Sequence, residues 1–180
     1  LNTYLTLPAR NPDVDTTVLD LGFGVTCAAD ALGLPGLEPD QLITVTARPG
    51  GDLRTQTRTA RTRRYTYVAW VDRVVDGDTL IATANLGFGC ETRPQRLRLR
   101  GIDCPELATR AGRNARDFVD EALSRVSFVV IATHRTDTYG RYLADVRYLP
   151  GEPDPQVVVR RGEYLNRELL DRHLARRYVR

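Results

Sequence analysis

The sequence predicts a mainly β fold of the α+β class. A small five-stranded barrel capped by helices spans residues 65–180, and a β-rich extension over 1–64 precedes it. Three observations predict this. From Tyr65 onward, short runs of aromatic and β-branched residues are joined by Gly-containing turns. Arg96-Leu97-Arg98-Leu99-Arg100 alternates strictly between apolar and charged residues. One stretch of helical spacing, Ala111 to Val126, falls between the third and fourth of the extended runs.

Taken in order, Tyr65 to Val75 reads as a strand closing in the Asp76-Gly77 turn. Thr79 to Leu86 continues as a second strand, and Leu86-Gly87-Phe88-Gly89 is the next turn. In the third strand Leu97 and Leu99 face one side, while Arg96, Arg98 and Arg100 face the other. Pro105 breaks the chain after Asp103-Cys104. The helix follows, with Ala115, Phe118, Val119, Ala122 and Val126 on one face. Ser127 to Ala132 and Arg141 to Tyr148 are two more strands, Gly151 to Pro155 is a Pro-rich loop, and Leu165 to Leu174 has helical spacing. Tight turns between adjacent short strands, with a helix between strands three and four, give an OB-fold type of five-stranded barrel.

Composition narrows the function classes. The 180 residues are 42% hydrophobic and 27% charged, ordinary for a globular chain, and no stretch approaches the roughly 18 apolar residues of a membrane span. That argues against disorder and against a membrane partner. All 26 basic residues are Arg, against 23 acids, for a net charge of +3. Arg grips phosphate through two parallel hydrogen bonds and keeps its charge, which suits a nucleic-acid partner without requiring one. Cys27, Cys90 and Cys104 form no CxxC pair, and His134 and His173 lie far apart, against a structural zinc site. The chain has no Met, even at position 1, as expected of a processed or excised chain, and its compartment stays open.

Three clusters carry possible chemistry: Asp76-Gly77-Asp78-Thr79, Arg98 through Asp103-Cys104-Pro105-Glu106, and Asp137-Thr138-Tyr139-Gly140-Arg141. Singly, each has a structural reading: a hairpin turn, a helix cap, a hairpin with an exposed Arg. Together they supply hard carboxylate oxygens suited to calcium or magnesium, two guanidinium forks for one anion, and a further carboxylate to orient or deprotonate water. Three Arg on one strand face repel one another, so at least one is expected to meet an anion or a carboxylate. Arg98 is the one within reach of the Asp103-Glu106 turn, and Arg96 and Arg100 are expected at the surface or paired with acids.

These motifs, in this order and with this spacing, resemble the staphylococcal nuclease (thermonuclease) family over roughly residues 65–178. The resemblance implies a calcium-dependent endonuclease or exonuclease acting on DNA and/or RNA, single-stranded or loosened, and leaving 3′-phosphate ends. It implies one calcium ion held by Asp78, Asp103 and the backbone carbonyl of Cys104, with Asp76 as a nearby acid. By the same resemblance Glu106 handles the attacking water, Arg98 and Arg141 neutralise the phosphate in the transition state, and Tyr139 contacts a terminal phosphate. Asn166 matches a buried structural Asn, and a secreted or cell-envelope location would suit the family. The alternative is a non-catalytic module of the same fold that binds nucleic acid or protein.

Residues 1–64 contain an echo. Leu-Gly-Phe-Gly occurs at 21–24 and at 86–89. Asp13-Val14-Asp15-Thr16 precedes the first copy as Asp76-Gly77-Asp78-Thr79 precedes the second, and Leu42 to Arg48 echoes Phe128 to Ala132. This predicts a degenerate, shortened copy of the barrel without its first strand and central helix, with Asp30 where Arg98 would lie and Pro35 where Asp103 would lie. A chance match within an unrelated β extension is the other reading. The Arg54, Arg58, Arg61, Arg63, Arg64 run reads as an exposed connector or an edge hairpin, solvated rather than dedicated to a phosphate contact.

Overall fold

The strand order explains how distant motifs become neighbours. In the computed structural model, residues 1–9, 16–47, 51–59 and 64–178 are described. The expectations placed on Asp13–Asp15, Arg48, Arg61 and Arg63 lie outside them. The strands are β1 (Thr3–Pro8), β2 (Thr17–Gly22), β3 (Val25–Ala28), β4 (Leu42–Ala47), β5 (Leu53–Arg58), β6 (Thr66–Asp76), β7 (Thr79–Gly87), β8 (Cys90–Glu91), β9 (Gln95–Leu99), β10 (Ile102–Asp103), β11 (Val129–Thr136), β12 (Tyr142–Tyr148), β13 (Glu163–Tyr164) and β14 (Arg176–Arg177). The helices are α1 (Arg110–Ser124), α2 (Pro155–Arg161) and α3 (Leu165–Asp171). The fold is mostly β with three helices, as the α+β expectation required. No described helix is long and apolar enough to cross a membrane, which leaves strands unaddressed.

The described residues divide into two units, one of Leu1–Thr66 with Leu86–Cys90, the other of Tyr67–Asn85 with Glu91–Arg180. In the first, an antiparallel sheet runs β3-β2-β1-β4-β5. Period-two alternation puts Tyr4, Thr6, Leu19, Leu21, Ile43 and Val45 on its buried face. Tyr4 donates its hydroxyl to the Leu86 carbonyl (2.8 Å), and burial pushes that phenol up to about 12.

In the second unit the pairing order is β11-β6-β7-β9-β12-β13, and β11 also pairs with β12. The five strands β11, β6, β7, β9 and β12 therefore form a closed pairing circuit. β9 and β12 run parallel, with Leu143 opposite Arg98. Leu80, Ala82, Leu97, Leu99, Val129, Ile131, Ala144 and Val146 are buried from these strands. From α1 come Gly112, Ala115, Val119 and Leu123, while Phe118 and Ala122, expected on that face, are half-buried and Val126 lies beyond the helix. Thr109 caps α1, its side chain accepting from the Gly112 amide (2.9 Å).

Two expectations need correction. The loop expected over Gly151 to Pro155 ends at Asp154: α2, a helix absent from the sequence reading, starts at Pro155, capped by Asp154, whose carboxylate accepts from the Gln156 amide (2.8 Å). Pro at the first helical position has no N–H to lose, so Asp154-Pro155 starts a helix despite the β-branched Val157-Val158-Val159. The N-terminal segment also does not lack a first strand, because β1 pairs with β2 as β6 pairs with β7. Its order, β5-β4-β1-β2-β3, follows the order β12-β11-β6-β7-β9. Between β3 and β4 stands a single 3-10 turn at Asp30–Leu32. The two Leu-Gly-Phe-Gly turns match in backbone as well: φ is 85°, 54° and 77° at Gly22, Phe23 and Gly24, and 86°, 55° and 74° at Gly87, Phe88 and Gly89.

Candidate nuclease site

The site is built where the β6–β7 turn meets the end of β9. Asp78 follows the Asp76-Gly77 turn, and its amide donates to Asp76 Oδ1 (3.1 Å). Gly77 is required for space: an added Cβ would fall 2.7 Å from the Ala115 Cβ and 2.8 Å from the Cys104 Sγ. Because β7 and β9 pair with Thr79 opposite Arg98, Arg98 and Asp78 are neighbours.

Arg98 spans two carboxylates. Its Nη1 donates to Asp78 Oδ1 at 2.6 Å and its Nη2 to Asp103 Oδ1 at 2.8 Å. The other Asp78 oxygen accepts the Cys104 amide at 2.9 Å, and Thr79 donates its hydroxyl to Oδ1 at 3.1 Å. Asp78 is 4% exposed. Burial pushes its carboxyl above the usual range, although the Cys104 amide and the Arg98 guanidinium pull the other way. Burial also opposes the charge on Arg98, but Asp78 and then Asp103 more than offset this and hold its pKa above the ordinary guanidinium value. The Cys104 thiol is pushed up to about 12, by burial first and then by the charges of Asp78, Asp76 and Asp103.

Asp76, Asp78, Arg98, Asp103 and Cys104 are thus brought together. Glu106 lies two residues beyond Cys104 with its side chain exposed, and its carbonyl accepts from the Thr109 amide (2.9 Å) and hydroxyl (2.7 Å). Arg141 and Tyr139 are fastened inside their own loop. Asp137 accepts from the Arg141 Nε (2.7 Å), the Arg141 amide (3.0 Å) and the Tyr139 amide (2.9 Å). The Tyr139 ring is 82% exposed, 5.4 Å from the Arg141 guanidinium carbon. Register relates this loop to the rest. Arg141 immediately precedes β12, in which Leu143 stands opposite Arg98 on the parallel neighbour. Asn166 is 2% exposed and ties β12 to the turn after β9, accepting from the Val146 amide (3.0 Å) and donating to the carbonyls of Ala144 (3.0 Å) and Arg100 (3.1 Å).

Sequence reasoning missed three contributors. Arg176 donates to Asp103 Oδ2 through Nε (3.0 Å) and Nη2 (2.8 Å). With Arg98 on the other oxygen, the two guanidiniums overcome burial and hold the Asp103 carboxyl below its usual range. Gly112 lets the Glu106 carbonyl rest on the first turn of α1, where a Cβ would collide with it; a Gly inside a helical pattern was the available signal. Asp145 gathers Arg100 (2.8 and 3.0 Å), His134 (3.0 Å) and Tyr164 (2.7 Å), so Arg100 does pair with an acid.

Two carboxylates converging on one positive group are a donor set of the hard-oxygen kind that suits calcium or magnesium. Among the described residues there is no group of three or more His, Cys, Asp or Glu that could hold a metal. A cation here would rest on Asp78 and Asp103 alone among side chains.

No curated protein matches the chain. The family model described as staphylococcal nuclease homologue matches residues 96–180. The match takes in Arg98, Asp103, Cys104, Glu106, Tyr139 and Arg141, while Asp76 and Asp78 precede it. Over those residues, a little under half of its length, the chain is similar to the staphylococcal nuclease homologues.

Proposed function

We propose that this protein is a calcium-dependent nuclease that hydrolyses phosphodiester bonds of DNA or RNA and leaves 3′-phosphate ends. The observation that carries the reading is the Asp78–Arg98–Asp103 arrangement: two acids and a guanidinium from separate segments meet at one point, in a chain whose residues 96–180 match the staphylococcal nuclease homologue model. Asp78, Asp103 and the Cys104 carbonyl would hold the cation, which when bound polarises a phosphate oxygen. Glu106 is the exposed carboxylate nearest in sequence to these ligands, and it orients or deprotonates the attacking water. Arg98, on β9, and Arg141, just before the parallel neighbour β12, neutralise the charge that grows on the phosphate. Tyr139, exposed beside Arg141, contacts a terminal phosphate. The closed pairing circuit fits a five-stranded OB-type barrel, whose strand faces take single-stranded rather than duplex substrates.

The order shared by the two sheets supports residues 1–64 as a degenerate copy of that barrel, with neither cation nor phosphate ligands. A non-catalytic, nucleic-acid-binding module is the second reading. It is favoured by one observation: each oxygen of Asp78 and Asp103 already accepts a hydrogen bond from the protein itself. Cleavage of single-stranded DNA in calcium and in EDTA separates the two. Calcium-dependent cleavage that falls about a hundredfold in Arg98→Ala and in Glu106→Ala supports the nuclease. Binding without cleavage supports the module.

A further inference from the structure

The last described residues close over the acids. β14 pairs antiparallel with β10, putting Arg176 opposite Asp103 and Arg177 opposite Ile102, and the Tyr178 amide donates to the Gly101 carbonyl (3.0 Å). The Tyr178 ring lies 5.8 Å from the Arg98 guanidinium carbon. Asp103 therefore carries a guanidinium on each oxygen, and the two are held differently. The Arg98 side chain is 14% exposed and bridges two carboxylates, whereas the Arg176 side chain is 82% exposed and grips a single oxygen. An exposed pair of this kind is held weakly. An oxygen that already accepts two N–H groups cannot also approach a hard cation, and a guanidinium beside that cation adds like-charge repulsion.

We propose that Arg176 is a positioning residue: it occupies Asp103 as an internal counter-ion and swings away when a divalent cation binds, so that the C-terminal strand sets the cation affinity of the site. The inference rests on the reading of Asp78 and Asp103 as cation ligands. The β10–β14 ladder is made by backbone groups, so Arg176 can release Asp103 Oδ2 by a movement of its side chain alone, with Arg98 still on Oδ1.

Calcium titration of the full chain by calorimetry, without nucleic acid, tests this. Arg176→Ala binds calcium about two- to fivefold more tightly than the parent, the range spanned by an exposed ion pair. Arg176→Glu, which adds an acid beside Asp103, binds more tightly again. Arg177→Ala, whose side chain alternates to the other side of the strand, binds as the parent does. Circular dichroism in EDTA confirms that each variant is folded, and Arg176→Gln, which keeps the stem, replaces Arg176→Ala if that variant is not. Equal affinity in the parent and Arg176→Ala, with binding still abolished by Asp103→Asn, overturns the proposal and leaves the cation site intact. Absence of calcium binding in the parent and in Arg176→Glu alike overturns both.

Discussion

The Cys104 amide donates to Asp78 Oδ2 at 2.9 Å, joining positions 26 residues apart through a backbone group. The bond does not depend on what side chain residue 104 carries. Cys104→Ser is therefore expected to keep the parental melting temperature within a few degrees and, under the proposed function, the cleavage rate within about threefold, as for a small change that leaves the backbone contact intact. Asp78→Ala is expected to cost about 3 kcal/mol in urea unfolding, because it leaves the Arg98 guanidinium and the Cys104 amide without their acceptor.

Gly112→Ala tests how closely α1 supports Glu106. Helix propensity alone would favour Ala by about 1 kcal/mol. The added methyl, however, meets the Glu106 carbonyl. A net loss of about 1–3 kcal/mol is expected, as for other overpacked contacts, together with lower cleavage. A variant more stable than the parent in urea would show that the loop yields without cost.

Asp145 makes stability depend on acid. Burial works to raise its pKa, but the bonds from Arg100, Tyr164 and His134 outweigh it and hold the carboxyl below the usual range. A depressed folded-state pKa contributes stability above the unfolded value, about 3.9, and that contribution is lost as pH falls through the folded value. Asp145→Asn is expected to be less stable at pH 7 by about 1–2 kcal/mol, discounted because Arg100 is half exposed. The gap should narrow below about pH 4, where the parental carboxylate takes up its proton. Urea midpoints of both proteins from pH 7 to pH 3 measure it.

Asn166→Leu removes three hydrogen bonds from a site that water does not reach. The Val146 amide and the Ala144 and Arg100 carbonyls lose their partner, and a loss of about 3 kcal/mol or more is expected. Amide exchange at Val146 should accelerate in the same variant. Unchanged exchange there would mean that the amide had found another acceptor.

What could be read in advance depended on how local the signal was. The Asp76-Gly77 turn and the Arg96–Arg100 alternation were legible because a turn and a two-residue period are written in neighbouring residues. They were enough to put Arg98 near Asp103. The helix at Pro155 was hidden by three consecutive valines, although Asp154-Pro155 announced it. Arg176 was not legible: it meets Asp103 across 73 residues through a strand two residues long, too short to leave a pattern. The Asp145 cluster draws on three elements and the turn after β9, and no single stretch of sequence contains it.

The two Leu-Gly-Phe-Gly segments adopt one backbone conformation although different strands flank them. A tetrapeptide that reproduces its dihedral angles in two settings carries its shape in its own residues, two glycines allowing the left-handed phenylalanine between them. Each turn is therefore set by its own residues, and the strands on either side, β2 with β3 and β7 with β8, are paired by a shape that needs no distant contact.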